Sequence, residues 1–126
     1  MTQSFFVGCA LPNLNDIIDA AKIRRGSWSK YQELKTLYGS LCKADIKKAE
    51  LSPMTRVVMT CVWHEKNRRR DPDNFTAGGT KIILDALVER QVLKNDGWSE
   101  IAGIRHSWVV DAVRPGVFVT LEEVRP

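Results

Sequence analysis

Two hydrophobic rhythms divide the chain. Residues 5–11 form a short apolar run of strand length. Pro12-Asn13-Leu14-Asn15 interrupts it, and either asparagine is a good cap for a helix over residues 16–21. The pattern breaks at Arg24-Arg25-Gly26-Ser27. Over residues 29–49 apolar positions return at helical spacing as Tyr31, Leu34, Leu37, Tyr38 and Leu41. The polar face of that helix carries Lys30, Lys35, Lys43, Lys47 and Lys48. From Arg56 the period falls to two, with Val57, Met59, Cys61 and Trp63 on one side and Val58, Thr60, Val62 and His64 on the other. Both sides are largely apolar, which predicts a central strand covered on both faces.

After a polar stretch, residues 80–91 read as a helix with Ile83, Leu84, Leu87 and Val88 on its apolar side. Residues 107–113 and 117–121 are two further strands, and Arg114-Pro115-Gly116 between them predicts an antiparallel hairpin. The order strand, helices, strand, helix, strand, strand is α+β. It predicts a small mixed sheet of about four strands packed with two to three helices. With no internal repeat, low-complexity tract or long linker, residues 1–126 read as a single domain.

Composition narrows the class. With 44% hydrophobic and 27% charged residues the chain is too apolar for a disordered protein. No run approaches the roughly 18 apolar residues of a membrane span. Cys9, Cys42 and Cys61 are odd in number and widely spaced, which argues against a disulfide framework. The first seven residues lack the basic flank and long apolar stretch of a secretory signal. A reduced, cytoplasmic protein is the expectation. A zinc site built on Cys61 and His64 is disfavoured, because three positions apart on a strand they face opposite ways. The net charge is +4, and it is unevenly spread: residues 1–70 hold 13 Lys and Arg against 6 Asp and Glu, residues 71–126 hold 6 against 9. That layout suits a polyanion on one surface and a metal cation on another, and equally suits ordinary solvated charge.

The chemistry concentrates in Lys66-Asn67-Arg68-Arg69-Arg70-Asp71-Pro72-Asp73-Asn74. Pro72 biases Asp71 toward extended backbone, and in an extended segment Asp71 and Asp73 project to the same side. Two carboxylates held together repel unless a proton or cation lies between them. A hard ion such as Mg²⁺ satisfies them and keeps waters for reaction. The same residues also read as a charged loop neutralised by its own arginines. Lys81 and Asp85, four apart on a helix, make an ordinary ion pair. Asn95-Asp96-Gly97 makes a turn after that helix, placed to bring Asp96 toward Asp71 and Asp73 at one end of the sheet. Trp28, Trp63, Trp98 and Trp108 read first as core residues; Trp28 beside Arg24 and Arg25, and Trp98 beside Asp96, are alternatively placed to stack on unpaired bases.

Taken together, Asp71-Pro72-Asp73-Asn74, the stretch from Lys81 through Asp85-Ala86-Leu87, and Asn95-Asp96 resemble the RusA family of Holliday junction resolvases. That family's signature is an Asp-x-Asp-Asn element, a lysine opening a helix that continues to Asp-Ala-Leu, and an aspartate pair in the following turn. The similarity spans about residues 68–101. It implies a RusA-like α+β endonuclease, often phage or prophage encoded, which needs Mg²⁺ or Mn²⁺. Such an enzyme cuts four-way DNA junctions as a homodimer, in recombination and repair. By position, Asp71, Asp73 and Asp96 match the metal-binding acidic residues and Lys81 the catalytic lysine. Asn74 and Asp85 match supporting positions, and Lys66, Arg68, Arg69 and Arg70 adjoin the site as candidate DNA contacts. The chain departs from the signature twice. Six residues, Phe75 to Thr80, separate Asn74 from Lys81, and Gly78-Gly79 within them suggest a loop that swings the lysine back. The aspartate pair is Asn95-Asp96, with one carboxylate. A non-catalytic structured-DNA-binding module, and a metal-dependent nuclease for another branched or RNA substrate, are the alternatives.

Overall fold

A computed structural model describes the backbone of residues 1–25 and 28–125 and the side chains of residues 1–23 and 29–125. The expected break at Gly26-Ser27 lies outside the described residues, as does the Trp28 side chain. Strand β1 (Thr2–Val7) follows its alternation, with Phe5 and Val7 buried. Helix α1 (Leu14–Ala21) starts at Asn13, not Asn15. The Asn13 side chain accepts from the Asp16 backbone N–H at 2.8 Å, and the Asp16 carboxylate accepts from the Asn13 N–H at 3.1 Å. This reciprocal box satisfies two otherwise orphaned donors. Two short strands, β2 (Arg24–Arg25) and β3 (Trp28–Ser29), pair antiparallel and lead into helix α2 (Lys30–Ala49), capped by Ser29. The inner stripe of α2 is Tyr38, Cys42 and Ile46, whereas Leu37 and Leu41 are exposed. The helix meets β1 and its neighbouring helices along one narrow line, which leaves part of its apolar arc in water.

Strand β4 (Val57–Glu65) continues into helix α3 (Pro72–Glu89), then β5 (Ile101–Val110) and β6 (Gly116–Glu123). The α+β expectation holds: one four-stranded mixed sheet in the order β1-β6-β4-β5, with three helices. The expected hairpin does not form. β5 runs parallel to β4, joined to it through α3, while β6 is antiparallel to both β4 and β1. The reversal at Arg114-Pro115-Gly116 is present, but the chain passes across the end of β4 before turning back. The Asp111 N–H donates to the Glu65 carbonyl at 2.7 Å, and the Asp111 carboxylate accepts from the N–H groups of Val113 and Arg114 at 3.1 and 2.9 Å. β6 is thus set down on the far side of β4. Local turn chemistry is satisfied either way, so it cannot specify which strand is the neighbour.

Nor is β4 covered on both faces. Val57, Met59, Cys61 and Trp63 are buried in the core with Val117, Val119, Leu121 and the apolar sides of α2 and α3. Val58, Thr60, Val62 and His64 on the opposite face are only half-buried. Part of that face is closed by Phe6, which meets His64 edge-on at 5.6 Å and lies under the Arg114 guanidinium at 4.2 Å.

Helix α3 begins eight residues before the expected Thr80, so Gly78 and Gly79 are helical and form no loop. Their lack of side chains sets the packing. A Cβ on Gly78 would overlap the backbone of Pro12, Asn13 and Leu14, and one on Gly79 would press 2.6 Å from the Trp63 ring. Both glycines seat α3 against the start of α1 and against β4. Gly78→Ala is therefore expected to lower stability by about 2 kcal/mol, since backbone cannot yield to it. Gly39→Ala in α2, where a Cβ meets nothing within 4 Å, is expected to raise stability by up to about 1 kcal/mol. Urea unfolding of the two variants beside the parent protein checks both signs.

Candidate functional site

The segment between β4 and α3 is organised by one buried ion pair. The Arg70 guanidinium donates to both oxygens of Glu65, at 2.7 and 2.9 Å, and its remaining amino group donates to the Leu11 carbonyl at 2.6 Å. Glu65 is 9% exposed, at the buried end of β4. Three of the five guanidinium donors are thus committed inside the protein, so Arg70 is anchored to the fold and does not project freely with the rest of the cationic run. Lys66, Arg68 and Arg69 are exposed and enter no ion pair among the described residues. Within the loop, the Arg69 N–H donates to the Asn67 side chain at 3.0 Å.

Asp71 is extended, as a residue before proline must be, and it is the N-cap of α3 with Pro72 at the first helical position. Asp73 and Asn74 are already helical, so the alternation expected of an extended segment does not apply to Asp73. The reason is Pro72, whose fixed φ and missing N–H suit the first turn as well as an extended strand. The carbonyl of Asp71 accepts from Asn74 and Phe75, while its carboxylate makes no capping bond. Asp71 and Asp73 are both exposed, and among the described residues neither carboxylate has a hydrogen-bonded or ion-paired partner. Their neutralisation by the adjacent arginines, the bland reading of the run, is not what forms.

Lys81 belongs to a different cluster. Its ammonium lies 2.9 Å from Asp96 and 3.0 Å from Asp85, and Lys35 of α2 reaches the other Asp85 oxygen at 3.5 Å. Asp96 is further held by Asn95, whose side-chain oxygen accepts from its N–H at 2.8 Å. The hydrogen bond to Asp96, followed by that to Asp85, raises the Lys81 pKa, and the hydrogen bond from Lys81 lowers that of Asp96. Both pairings favour the charged form of Lys81. Eight residues of helix separate it from Asp73, about 12 Å along the axis.

The signature residues thus fall into two places. Asp71 caps α3 and Asp73 lies in its first turn, whereas Lys81 and Asp85 lie further along the helix, with Asp96 reaching them from the turn that follows it. Among the described residues no three Asp, Glu, His or Cys side chains converge where they could share a metal ion. A three-carboxylate set of Asp71, Asp73 and Asp96 is not assembled. Asp71 and Asp73 alone are chemically suited to a hydrated Mg²⁺, which commonly takes one or two carboxylates and completes its shell with water and substrate phosphate.

The tryptophans also separate. Trp63 is buried, and its indole N–H donates to His106 Nδ1 at 2.9 Å; burial of His106 lowers its pKa. Trp98 is 97% exposed, and Trp108 on β5 is 52% exposed, so neither is the core residue its type suggested. Strand periodicity cannot reveal this for Trp108, since exposure there follows from β5 being an edge. No protein family's sequence profile matches the chain, and no curated protein matches it.

Two measurements follow from these pairs. Arg70→Ala leaves Glu65 buried and unpaired and is expected to cost about 3 kcal/mol, whereas Arg68→Ala is expected to stay within about 0.5 kcal/mol. Chemical unfolding of both variants reads the difference. The Lys81–Asp96 coupling, from a double-mutant cycle with Lys81→Met and Asp96→Asn, is expected to be at most about 1 kcal/mol, because the lysine is largely exposed. Its pH dependence has a definite sign. The lowered Asp96 pKa keeps the contribution above about pH 4 and loses it as pH falls through the folded value. The raised Lys81 pKa keeps it up to about pH 10 and loses it as pH rises through the folded value. The cycle repeated at pH 2.5, 7 and 9 checks the acid loss and the plateau.

Proposed function

We propose that this chain is a RusA-like, divalent-metal-dependent endonuclease that cleaves branched DNA, four-way junctions above all, in recombination and repair. The observation that carries the reading is the start of α3. Two exposed carboxylates, Asp71 and Asp73, adjoin a loop that carries Lys66, Arg68 and Arg69, and among the described residues none of these five side chains has an ion-pair partner. A carboxylate pair beside unpaired cations is poor design for a surface that only holds the fold together. It suits a site where a phosphodiester and a cation arrive together.

Asp71 and Asp73 would hold the Mg²⁺ or Mn²⁺, which supplies Lewis-acid activation of a phosphoryl oxygen and of water. Lys66, Arg68 and Arg69 bind the phosphates flanking the scissile bond, a sequence-independent contact that positions the backbone. The α3 dipole adds a partial positive charge at the same end. Lys81, Asp85 and Asp96 act at a distance from that end. They tie the turn at residues 95–97 to α3 and to α2. A symmetric homodimer presents two such sites to the two-fold character of a four-way junction.

One observation favours a second reading. Lys81 and Asp96 neutralise each other instead of facing Asp71 and Asp73, which is compatible with a module that binds structured DNA without turnover. A single experiment separates the two. An end-labelled four-way junction, a matched duplex and single strands are incubated with the protein in Mg²⁺, Mn²⁺ or EDTA, beside Asp73→Asn. Symmetric metal-dependent nicks confined to the junction, and reduced at least about 100-fold by Asp73→Asn, are expected of the nuclease. Tight junction binding without cutting in either metal identifies the binding module. Cutting of all substrates alike removes the junction preference and keeps the carboxylate site.

A further inference from the structure

Beside Asp71, at the carboxyl end of β5, the surface opens into a cleft of about 360 Å³. It is lined by the exposed Trp108 ring with Phe75 packed edge-on beneath it, by Val110 and Pro72, and by Asp71 and Arg68. The register Trp63↔Trp108 places both indoles on the same side of the parallel β4–β5 pair. Trp63 is roofed by α3. Trp108, on the edge strand, is half uncovered. Its ring is nevertheless supported: Phe75 meets it edge-on at 6.2 Å, and Phe75 is itself held by Trp63 at 5.7 Å and by the Arg70 guanidinium at 5.7 Å.

We propose that this cleft is a stacking site for one unpaired nucleobase, with Trp108 as its platform, a step that rests on the nuclease reading and names what that site recognises. Charge decides the kind of occupant. The charged groups at the back of the cleft, Glu65 and Arg70, satisfy each other, so the wall offers a π-face without an unpaired charge. The loop beside the mouth carries Lys66, Arg68 and Arg69, which complement the phosphates on either side of a base seated inside. An aromatic platform next to a cationic track is the arrangement by which proteins hold single-stranded nucleic acid, because every base has a π-face. The volume lies at the lower end of that of small-molecule sites, which suits one nucleoside. Asp71 lines the same cleft, so a base stacked there fixes the adjacent phosphate beside the Asp71 carboxylate. The site would select junctions and other branch points, where a base leaves the duplex stack at little cost, over uninterrupted duplex.

The test uses 2-aminopurine, whose fluorescence is quenched on stacking, placed singly at positions around the branch of a four-way junction and in a single-stranded oligonucleotide. Binding is followed in EDTA so that nothing is cut. One junction position and the single strand should be quenched by the wild-type protein. Trp108→Ala should abolish that quench and weaken single-strand binding about tenfold. Trp108→Phe should restore most of both, and Trp98→Ala should change neither. Unchanged quench and affinity in Trp108→Ala overturn the proposal. If wild-type protein cuts junctions in Mg²⁺ and Trp108 makes no difference, the base site falls and the nuclease reading stands. If Trp108 quenches the single strand but no metal supports cutting, the base site stands and the nuclease reading falls. Absence of any quench or nucleic-acid binding removes both.

Discussion

Glu65 is the residue on which the functional end of this molecule depends. It ends β4, and its buried carboxylate commits Arg70 through two hydrogen bonds while the same guanidinium reaches back to the Leu11 carbonyl. Its own carbonyl receives the Asp111 N–H. One residue therefore ties together the loop before α3, the connection before α1 and the crossing from β5 to β6. A buried carboxylate without its partner is costly, so these three segments are held in a single mutual arrangement. The position of Asp71 at the start of α3, and the width of the cleft beside it, follow from that arrangement.

A second constraint is the fit of α3 onto the sheet. The helix approaches closely enough that Gly78 lies on the backbone entering α1 and Gly79 on the Trp63 ring. Close approach lets Phe75, one turn earlier, bridge the two tryptophans of β4 and β5. The aromatic wall of the cleft is thus an extension of the core, and its rigidity is inherited from it. The exposed part is only the outer half of Trp108, where the sheet ends.

The charges on α3 divide according to what reaches them. Lys81 and Asp85 face α2 and the turn at residues 95–97, and there they find Lys35 and Asp96. Asp71 and Asp73 lie at the free end of the helix and find no partner among the described residues. A helix separates such groups by fixed distance, so Lys81 does not come back to Asp73 however the side chains turn. The resemblance to a nuclease signature rests on residue order, and order along a helix is not proximity.

What local chemistry governs was legible in the residues themselves: the strand period of β4, an asparagine cap at Asn13 or Asn15, the lysine-rich helix α2, the extended Asp71 before Pro72 and the α+β class. Each depends on contacts within a few positions, or on which face of an element must avoid water. The tertiary structure decided the rest. The neighbours of β6 are β1 and β4, not β5, because the chain crosses the end of β4 before turning. Gly78 and Gly79 are helical because their value lies in the close contact they permit with Trp63 and α1, a partner surface distant in sequence. Arg70 left the cationic run for Glu65 because a buried carboxylate is costly without a partner, and Lys81 pairs with Asp96 because the fold brings the turn after α3 within its reach. Trp108 is exposed because β5 is an edge. Side-chain period reports which face a residue occupies, and only the assembled sheet determines what covers that face.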